Sequence, residues 1–362
     1  MDMGSVEERI TEIEAEIRKT QKNKATEYHI GILKAKIAKL KKSIYSSSGS
    51  GGGGGGFDVK KQGDATVVMV GFPSVGKSTL LNGLTNAKSE IAAYEFTTLT
   101  CIPGMMKYKD ANIQILDLPG IIKGAMEGRG RGKEIIAVAR KADLIIILLD
   151  SKKPEHYQII LDELYGFGIR LNEKKPDVRI QKTIRDGINI LSSNIFLKNI
   201  SKNEICAALN EYGVHNANVI LREKINLDRF IDALEQSRCY IPSLTVINKA
   251  DLGVEKNKFP KDAIEISAEK AAGLEKLRDE IYKKLRFIRI FTKRRGEKAD
   301  LEEALIMREG TVIRDICKIL HRDLEKNFKY ALIWGESAKH PGQRVGFEHL
   351  LKDKDIVQIF AK

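Results

Sequence analysis

The stretch ATVVMVGFPSVGKSTLLNGL, from Ala65 to Leu84, decides the fold. Its first six residues have the composition of a buried strand, and the residues after Lys77 have that of a helix. Between them lies the pattern G-x-x-x-x-G-K-[ST], whose glycines let backbone N–H groups converge on phosphate at a helix N-terminus. The stretch therefore predicts a phosphate-binding loop that contacts its ligand through Gly71, Pro73, Ser74, Val75, Gly76, Lys77, Ser78 and Thr79.

The rest of the central region alternates strands and helices. Further buried strands are expected at NIQILDL, DLIIILLD, SLTVINK and DAIEIS, with helices at 154–165 and 274–285. This alternation predicts an α/β fold, a P-loop domain with a mostly parallel sheet covered on both faces. The stretch between Tyr165 and Ile241 is too long for a loop in a compact domain, so it predicts an inserted α/β subdomain.

Both ends of the chain have their own patterns. Apolar residues at helical spacing in 5–45 predict two helices in an antiparallel hairpin. SSSGSGGGGGG, Ser46 to Gly56, is expected to form a flexible tether or a loop that admits close backbone approach. The last 70 or so residues predict a small α+β domain, with strands at RFIRIFT, EALIMREG, YALIWG, QRVGF and DIVQIF and a helix near 311–322. Trp334 is expected in its core rather than on a base-stacking surface. The expected domains are 1–45, hairpin; 46–64, glycine-rich loop; 65–165 and 241–288, P-loop domain; 166–240, insert; 289–362, C-terminal domain.

Composition limits the partners. The longest aliphatic run, Leu144 to Leu149, is too short to span a membrane, and the acidic N-terminus lacks a secretory pattern, so a cytoplasmic protein without a membrane partner is expected. The net charge is +13. It is concentrated in 18–42, with nine Lys and Arg against one acid, and in 283–298, with eight against one. Such clusters favour a polyanionic partner, RNA rather than DNA, although a solvated lysine-rich surface is the alternative.

Asp117 is expected at the magnesium ion of a nucleotide. It ends the strand NIQILD and opens the sequence D-x-x-G, about forty residues after the phosphate-binding loop. Ser78 and Asp117 then would ligate Mg²⁺, Asp117 directly or through a water, while Lys77 bridges the β- and γ-phosphates. The Gly120 N–H would contact the γ-phosphate. Elsewhere D-x-x-G is often only a turn.

The tetrapeptide NKAD, Asn248 to Asp251, indicates which base is bound. The Asp251 carboxylate can accept from N1–H and the 2-amino group of guanine, whereas adenine would leave it unpaired. Lys249 can lie over the ring, and Asn248 can tie this loop to the phosphate-binding loop. In the following SAE sequence, Ser267, Ala268 and Glu269, the Ala268 N–H would bind guanine O6. A polar turn and a helix cap are the alternatives for the two motifs.

A third stretch, YEFTTLTCIPG, lies where a GTPase needs a threonine that closes onto Mg²⁺ and the γ-phosphate. Thr97 or Thr98 qualifies, with Phe96 beside them in the nucleotide site. Two threonines of an edge strand are the alternative.

With these motifs in place, the chain resembles the developmentally regulated GTP-binding proteins, a branch of the Obg-like GTPases. The resemblance rests on GFPSVGKSTLLNGLT, YEFTTLTCIPG, DLPGIIKGAMEGRGRGKE and HPGQRVGFEHLLKDKDIVQIF, and it extends over nearly the whole chain. It implies an N-terminal helical hairpin, an insert similar to domain 2 of ribosomal protein S5, a C-terminal TGS domain of β-grasp type, and association with ribosomes and translation. By the same resemblance Thr98 is the Mg²⁺ ligand. Potassium-dependent relatives have asparagine at the position of Ser74, so K⁺ stays open as a second cation.

The expected activity is therefore slow GTP hydrolysis to GDP and phosphate, in a molecular switch bound to the ribosome or ribosomal RNA. Lys77, Thr98 and Gly120 are the expected catalytic groups, since phosphoryl transfer needs positioning and neutralised charge. Ile121 stands where other GTPases have a water-orienting glutamine, so the missing group is expected from a partner or from K⁺. Arg129 and Arg131 are internal candidates, although solvated loop arginines are the favoured alternative. The rival hypothesis is a nucleotide-gated scaffold that recruits a protein, such as a regulatory protein of this family, with incidental hydrolysis.

Overall fold

The protein was analysed as a computed structural model, which describes residues 3–21, 23–46, 63–85, 102–118, 131–294, 296–297, 299 and 301–361. It has two compact units. The first comprises Met1–Asp58, Gly120–Arg140 and Tyr157–Ile241, and the second comprises Val59–Pro119, Lys141–His156 and Pro242–Lys362. Each unit is considered by itself below.

The described residues form helices and strands in the following chain order. The α-helices are α1 Met3–Lys19, α2 Glu27–Ser46, α3 Lys77–Leu84, α4 Arg131–Arg140, α5 His156–Gly166, α6 Lys202–Glu211, α7 Leu227–Leu234, α8 Leu274–Leu285, α9 Ile313–Leu320 and α10 Arg322–Asn327. The strands are β1 Ala65–Val70, β2 Ile102–Tyr108, β3 Ala111–Asp117, β4 Leu144–Asp150, β5 Ile169–Leu171, β6 Val178–Lys182, β7 Ile188–Ile190, β8 Ala217–Leu221, β9 Cys239–Ile241, β10 Ser243–Asn248, β11 Ile264–Glu265, β12 Phe287–Thr292, β13 Leu305–Arg308, β14 Phe328–Trp334, β15 Gln343–Val345 and β16 Asp355–Ala361.

A six-stranded sheet in the order β11-β10-β4-β1-β3-β2 forms the centre of the second unit. All neighbouring pairs are parallel except β2 and β3, which confirms the predicted mostly parallel α/β class. Every residue of β1 is buried, because the sheet is covered on both faces there. The leucines of helices α3 and α8 pack against one face of the sheet. The carboxyl ends of the parallel strands consequently meet at one edge, and the predicted motifs follow these ends.

The C-terminal part of the same unit is a five-stranded sheet in the order β13-β12-β16-β14-β15. Helix α9 and the inward residues of these strands form its core, which includes Ile290, Ile333 and Val357. The strands match those expected from the sequence, and α10 is an additional short helix. The expected core position of Trp334 is wrong. Ala331 and Ile333 point into the core, so the alternation of β14 places Trp334 on the opposite face, where it is partly exposed.

The first unit combines the predicted pair of N-terminal helices with the inserted segment. The helices are antiparallel, because Val6 and Ile10 near the start of α1 pack against Ile37 and Leu40 in the second half of α2. The insert contains the three-stranded sheet β6-β8-β7, with α6 and α7 in its hydrophobic core. The core of the insert also includes Ala35 and Ala38 of α2.

Helix α2 comes close to α6 at Gly31. A Cβ atom at Gly31 would lie 2.8 Å from the Cβ of Ala207. Glycine and alanine therefore let the two helices approach closely. The hairpin therefore buries apolar residues against the insert as well as between its own two helices.

Candidate nucleotide-binding site

The phosphate-binding loop has the backbone that its glycines were expected to allow. It leaves β1 at Gly71 and enters α3 at Lys77. A Cβ at Gly71 would lie 2.6 Å from the Leu148 carbonyl oxygen, so only glycine fits. Gly76 has φ of 94°, and a Cβ there would collide with the Asn248 side-chain amide. Ser74 also has positive φ, 61°, a conformation that asparagine adopts more readily than serine.

Lys77 lies across this loop. Its Nζ donates to the carbonyl oxygens of Gly71 at 3.0 Å and Phe72 at 3.1 Å. Burial lowers the pKa of Lys77, and the nearby Asp117 carboxylate only partly offsets this. The ammonium is thus held at the mouth of the loop, where an anionic ligand would favour its charged form.

Ser78 and Asp117 form the part of the site that suits a divalent cation. The Ser78 hydroxyl donates to Asp117 Oδ2 at 3.0 Å. Asp117 is buried, and its Oδ1 has no hydrogen-bond partner in the described part of the chain. A hydroxyl beside an unsatisfied carboxylate oxygen is a donor set that Mg²⁺ accepts, so these residues fit the ion that the fold implies.

Asn248 connects three loops. Its Nδ2 donates to the Val75 carbonyl at 2.8 Å, and its Oδ1 accepts from the Ala268 N–H at 2.9 Å. The predicted link to the phosphate-binding loop is therefore present. The Ala268 N–H, expected at guanine O6, is engaged by Asn248 here, so that role requires a shared or exchanged hydrogen bond.

Asp251, the expected base-recognition residue, is accessible next to this link. The Ser267 hydroxyl and the Lys270 ammonium, the latter 3.2 Å away, hold the pKa of Asp251 below its usual value. The carboxylate is therefore ionised at neutral pH and can accept two N–H bonds. Glu269 is exposed beside it.

Asp150 is a site residue that the sequence reasoning missed. Its Oδ2 lies 2.7 Å from Lys249 Nζ, which also donates to the Ser74 carbonyl at 3.0 Å. Burial alone would raise the pKa of Asp150, but bonds from Lys249 and the Lys152 N–H lower it. Its sequence signal was available, since an acid ends the strand LIIILLD at the same sheet edge as the motifs.

His156 is a second missed residue. Its ring stacks on Phe72 of the phosphate-binding loop, with centroids 3.7 Å apart and an interplanar angle of 20°. His156 thereby packs against the loop. Nothing in its sequence neighbourhood signals this contact.

Six predicted positions lie outside the described residues: Phe96, Thr97, Thr98, Gly120, Ile121 and Arg129. Arg131 begins α4, but its side chain is likewise outside them.

Comparison with known proteins identifies the family. Three family models match: one described as 50S ribosome-binding GTPase over residues 66–182, one described as the C-terminal region of the MMR_HSR1 domain over 185–287, and the TGS domain over 288–361. Developmentally-regulated GTP-binding protein 1 of Xenopus laevis is 47% identical, over 98% of this chain and 98% of its own length. The chain belongs to the developmentally regulated GTP-binding protein family.

Another curated relative and a solved structure are also similar to this chain. A GTP-binding protein of Methanocaldococcus jannaschii, described as uncharacterized, is 52% identical over 100% of this chain and 94% of its own length. Among solved structures, the Schizosaccharomyces pombe YchF GTPase covers 83% of this chain and 99% of its own, at 16% identity and a TM-score of 0.47.

As a member of the developmentally regulated GTP-binding protein family, the chain is a P-loop GTPase with a C-terminal TGS domain. None of the helices in the described ranges combines the length and apolar character of a membrane-spanning segment.

Proposed function

We propose that this GTPase is a slow, Mg²⁺-dependent switch acting on the ribosome or on ribosomal RNA in the cytoplasm. The observation that carries the nucleotide part is the meeting of Lys77, the Ser78–Asp117 pair and the Asn248 link at one sheet edge. The roles of the individual residues, the domain boundaries and the likeness of the insert to domain 2 of ribosomal protein S5 are part of this proposal.

The phosphate end of the site works by positioning. Backbone N–H groups from Gly71 to Thr79 and the Lys77 ammonium bind the phosphates. Ser78 and Asp117, with Thr98 from outside the described residues, would hold Mg²⁺, which supplies positive charge to the phosphates. Thr98 and the Gly120 N–H respond to the γ-phosphate, and their release after hydrolysis is the switch.

The base end of the site selects guanine. Asp251 accepts from N1–H and the 2-amino group, and its lowered pKa keeps it ionised for this purpose. Lys249, held between Ser74 and Asp150, covers the ring. Adenine would leave the Asp251 carboxylate without its donors, and this supports GTP over ATP.

Hydrolysis is expected to be slow in the isolated protein, because Ile121 cannot orient a water molecule. The contribution that is missing comes from K⁺ near Ser74, or from an arginine or RNA phosphate of the partner. The positive φ of Ser74 is a conformation that asparagine adopts more readily than serine, so Ser74→Asn is a tolerable test substitution.

The ribosomal part of the proposal rests on the basic segments. The ion pairs of α2 reduce the number of cations that are available to RNA. Of the nine cations in 18–42, four are paired with carboxylates: Lys34 with Asp228, Lys39 with Glu211, Lys41 with Glu14 and Lys42 with Glu235. Arg18, Lys19, Lys24 and Lys36 are exposed. These four remain for RNA phosphates. Because this pairing leaves fewer cations for RNA, it also favours the rival hypothesis, a nucleotide-gated scaffold bound to a regulatory protein of the family.

Single-turnover GTP hydrolysis in sodium, in potassium, and in potassium with ribosomes tests the switch, together with cosedimentation in a GTP analogue or GDP. We expect slow hydrolysis in sodium, acceleration by ribosomes, and analogue-dependent, salt-sensitive cosedimentation. Lys24→Gln with Lys36→Gln should weaken binding, and the paired Lys34→Gln with Lys39→Gln should serve as a control of equal charge change. Fast hydrolysis in sodium that Ile121→Ala abolishes, or cosedimentation independent of nucleotide and salt, would contradict the proposal.

A further inference from the structure

The TGS domain has an outer sheet face that its core does not use. The inward residues of β12, β14, β15 and β16 form the core with α9, so the alternating residues point to the other side. These outward residues, with Lys293 directly after β12, are Arg289, Phe291, Lys293, Tyr330, Leu332, Trp334, Arg344, Ile356, Gln358 and Phe360. We call them the outer face. All of them except Gln358 are partly or fully accessible.

One end of the same sheet side is covered by the GTPase domain. Phe287, at the start of β12, lies in the GTPase core, and Ile306 of β13 packs against it. Arg308 of β13 pairs with Asp143 before β4. The sheet therefore attaches to the GTPase domain through β12 and β13. Apart from weak contacts, none of the described elements of this unit packs on the remaining outer face.

Aromatic rings and cations alternate on the outer face. Tyr330 and Phe360 stack with centroids 4.7 Å apart and an interplanar angle of 14°. The Arg344 guanidinium lies 4.0 Å over the Tyr330 ring, and Lys293 Nζ lies 4.6 Å over the Trp334 ring. Since Tyr330 and Trp334 are four residues apart on one strand, the two aromatic–cation groups are about 13 Å apart.

The charge of this face has one sign. Arg289, Lys293 and Arg344 are its charged residues, and all three are positive. Arg294, which follows Lys293, is exposed and extends the positive charge beyond the strand. This is the second half of the basic segment 283–298. In its first half, two cations are engaged within the protein, because Lys283 pairs with Glu280 and Arg289 pairs with Asp353.

We propose that the outer face of the TGS domain binds single-stranded RNA by stacking unpaired bases on its aromatic–cation groups. Base stacking on aromatic rings and on arginine planes, with cations along the backbone, is the general chemistry of single-strand binding. The Arg344 guanidinium covers Tyr330 and offers its own outward plane to a base. Duplex RNA is a poorer ligand, because its bases are stacked on each other and their faces are not available to protein side chains.

A protein partner is the competing occupant, since aromatic residues and arginine are also enriched at protein interfaces. The absence of acids at the outward positions, with cations placed over both aromatic groups, favours the polyanion. The inference goes beyond the proposed ribosomal switch. It concerns RNA alone and requires neither nucleotide nor ribosomes, so its failure is distinguishable from the failure of that proposal.

The chain carries its own reporter for the test, because Trp334 is its single tryptophan. The full-length protein is titrated with a short oligouridylate, with duplex RNA of the same length and with polyglutamate. Quenching of Trp334 fluorescence by the oligouridylate, at lower concentration than by the duplex and without an effect of polyglutamate, is the expected result.

Substitutions then locate the binding, measured by the anisotropy of labelled oligouridylate. Tyr330→Leu and Trp334→Leu should each weaken binding about tenfold, within the range for loss of one stacked base. Arg344→Gln should lower the slope of log affinity against log salt by about one. Arg314→Gln is the matched control, because this arginine also lies over an aromatic ring, Phe347 at 5.2 Å, but belongs to α9 on the opposite side.

The GTP hydrolysis rate of each variant, which should be unchanged, verifies that the domain is folded. Oligouridylate binding that leaves Trp334 fluorescence unchanged and is unaffected by all three substitutions would overturn the proposal and assign the face to a protein. So would equal affinity for single strand and duplex, or equal losses in Arg344→Gln and Arg314→Gln. Arg344 is exposed, so its variant remains informative even if a tryptophan variant folds poorly.

Discussion

The nucleotide edge of the six-stranded sheet and the contact between α2 and the insert both contain lysine–carboxylate pairs, but the pairs serve different purposes. At the nucleotide edge, Lys249 bonds a carboxylate and also the backbone of a second loop. On α2, Lys34 bonds both oxygens of Asp228 at 2.9 Å, and that is a contact between two side chains. The apolar residues of α2 pack beside it in the core of the insert.

The comparison distinguishes contacts that position a ligand site from contacts that attach α2 to the insert. A pair that also bonds backbone fixes the geometry of a ligand site, so its loss should appear in binding constants. A partly exposed pair between side chains contributes little to stability, typically 0 to about 1 kcal/mol. Packing therefore attaches α2, and polar contacts build the nucleotide site. Four substitutions test this contrast.

Asp251→Asn should have the largest effect. It removes the acceptor for two guanine donors, so GTP affinity should fall about a hundredfold, corresponding to about 3 kcal/mol. Xanthosine nucleotides should bind better than to the unmodified protein, because their 2-oxo group suits the amide. Fluorescent-nucleotide titration measures both, and Asp262→Asn, an exposed aspartate before β11, is the control. Comparable ATP and GTP affinities in the unmodified protein would show that the base assignment is wrong.

Gly31→Val should have the largest effect at the α2 contact. The added Cβ would lie 2.8 Å from Ala207 and force the helices apart, at a cost of about 1–3 kcal/mol. Denaturant unfolding measures the loss. Gly166→Val is a comparison, because a Cβ there meets no atom within 4 Å. Equal losses at both positions would show that close approach of α2 and α6 does not matter.

Asp150→Asn should weaken GTP binding about tenfold, about 1.4 kcal/mol, because Lys249 loses the partner that holds it over the base. ATP binding, which lacks the guanine contacts, should change less. The pKa of Asp150 is lowered, so its ionised contact is complete above the ordinary aspartate pKa and is lost as pH falls through the folded value. Binding in the unmodified protein should weaken at that acid pH. An unchanged GTP affinity in the variant would remove Asp150 from the site.

Lys34→Gln should have the smallest effect. Lys34 and Asp228 are 33% and 44% exposed, so their pair should contribute less than about 1 kcal/mol and less still at high salt. Thermal unfolding at low and high salt measures this. A loss as large as that of Gly31→Val would mean that charge rather than packing attaches α2.

The two basic segments show where sequence reasoning stops. Both segments predicted a polyanion surface, because charge along the chain is visible in the sequence. The acids that pair with Lys34, Lys39 and Lys42 lie in the insert, far away in sequence, and only folding brings them to α2. In 283–298, Arg289 and Lys293 lie on the same side of the sheet, but Arg289 pairs with Asp353 whereas Lys293 lies over the Trp334 ring.

The nucleotide site was more predictable because its motifs are local. The phosphate-binding loop, Asp117 and NKAD each combine a strand end with a short polar sequence, and parallel strands bring such ends to one edge. Asp150 follows the same rule but lacks a motif. Its role depends on Lys249, which is 99 positions later in the chain.

The sequence by itself determined the class of fold, the GTPase motifs and the strands of the TGS domain, because periodicity and short spacing express local backbone preferences. Only the tertiary structure decided which lysines are neutralised, that Asp150 holds Lys249, and that Trp334 lies outside the core. Alternation along β14 gives two faces of similar apolar character. Which of them is buried depends on where α9 packs, and that is a property of the folded chain.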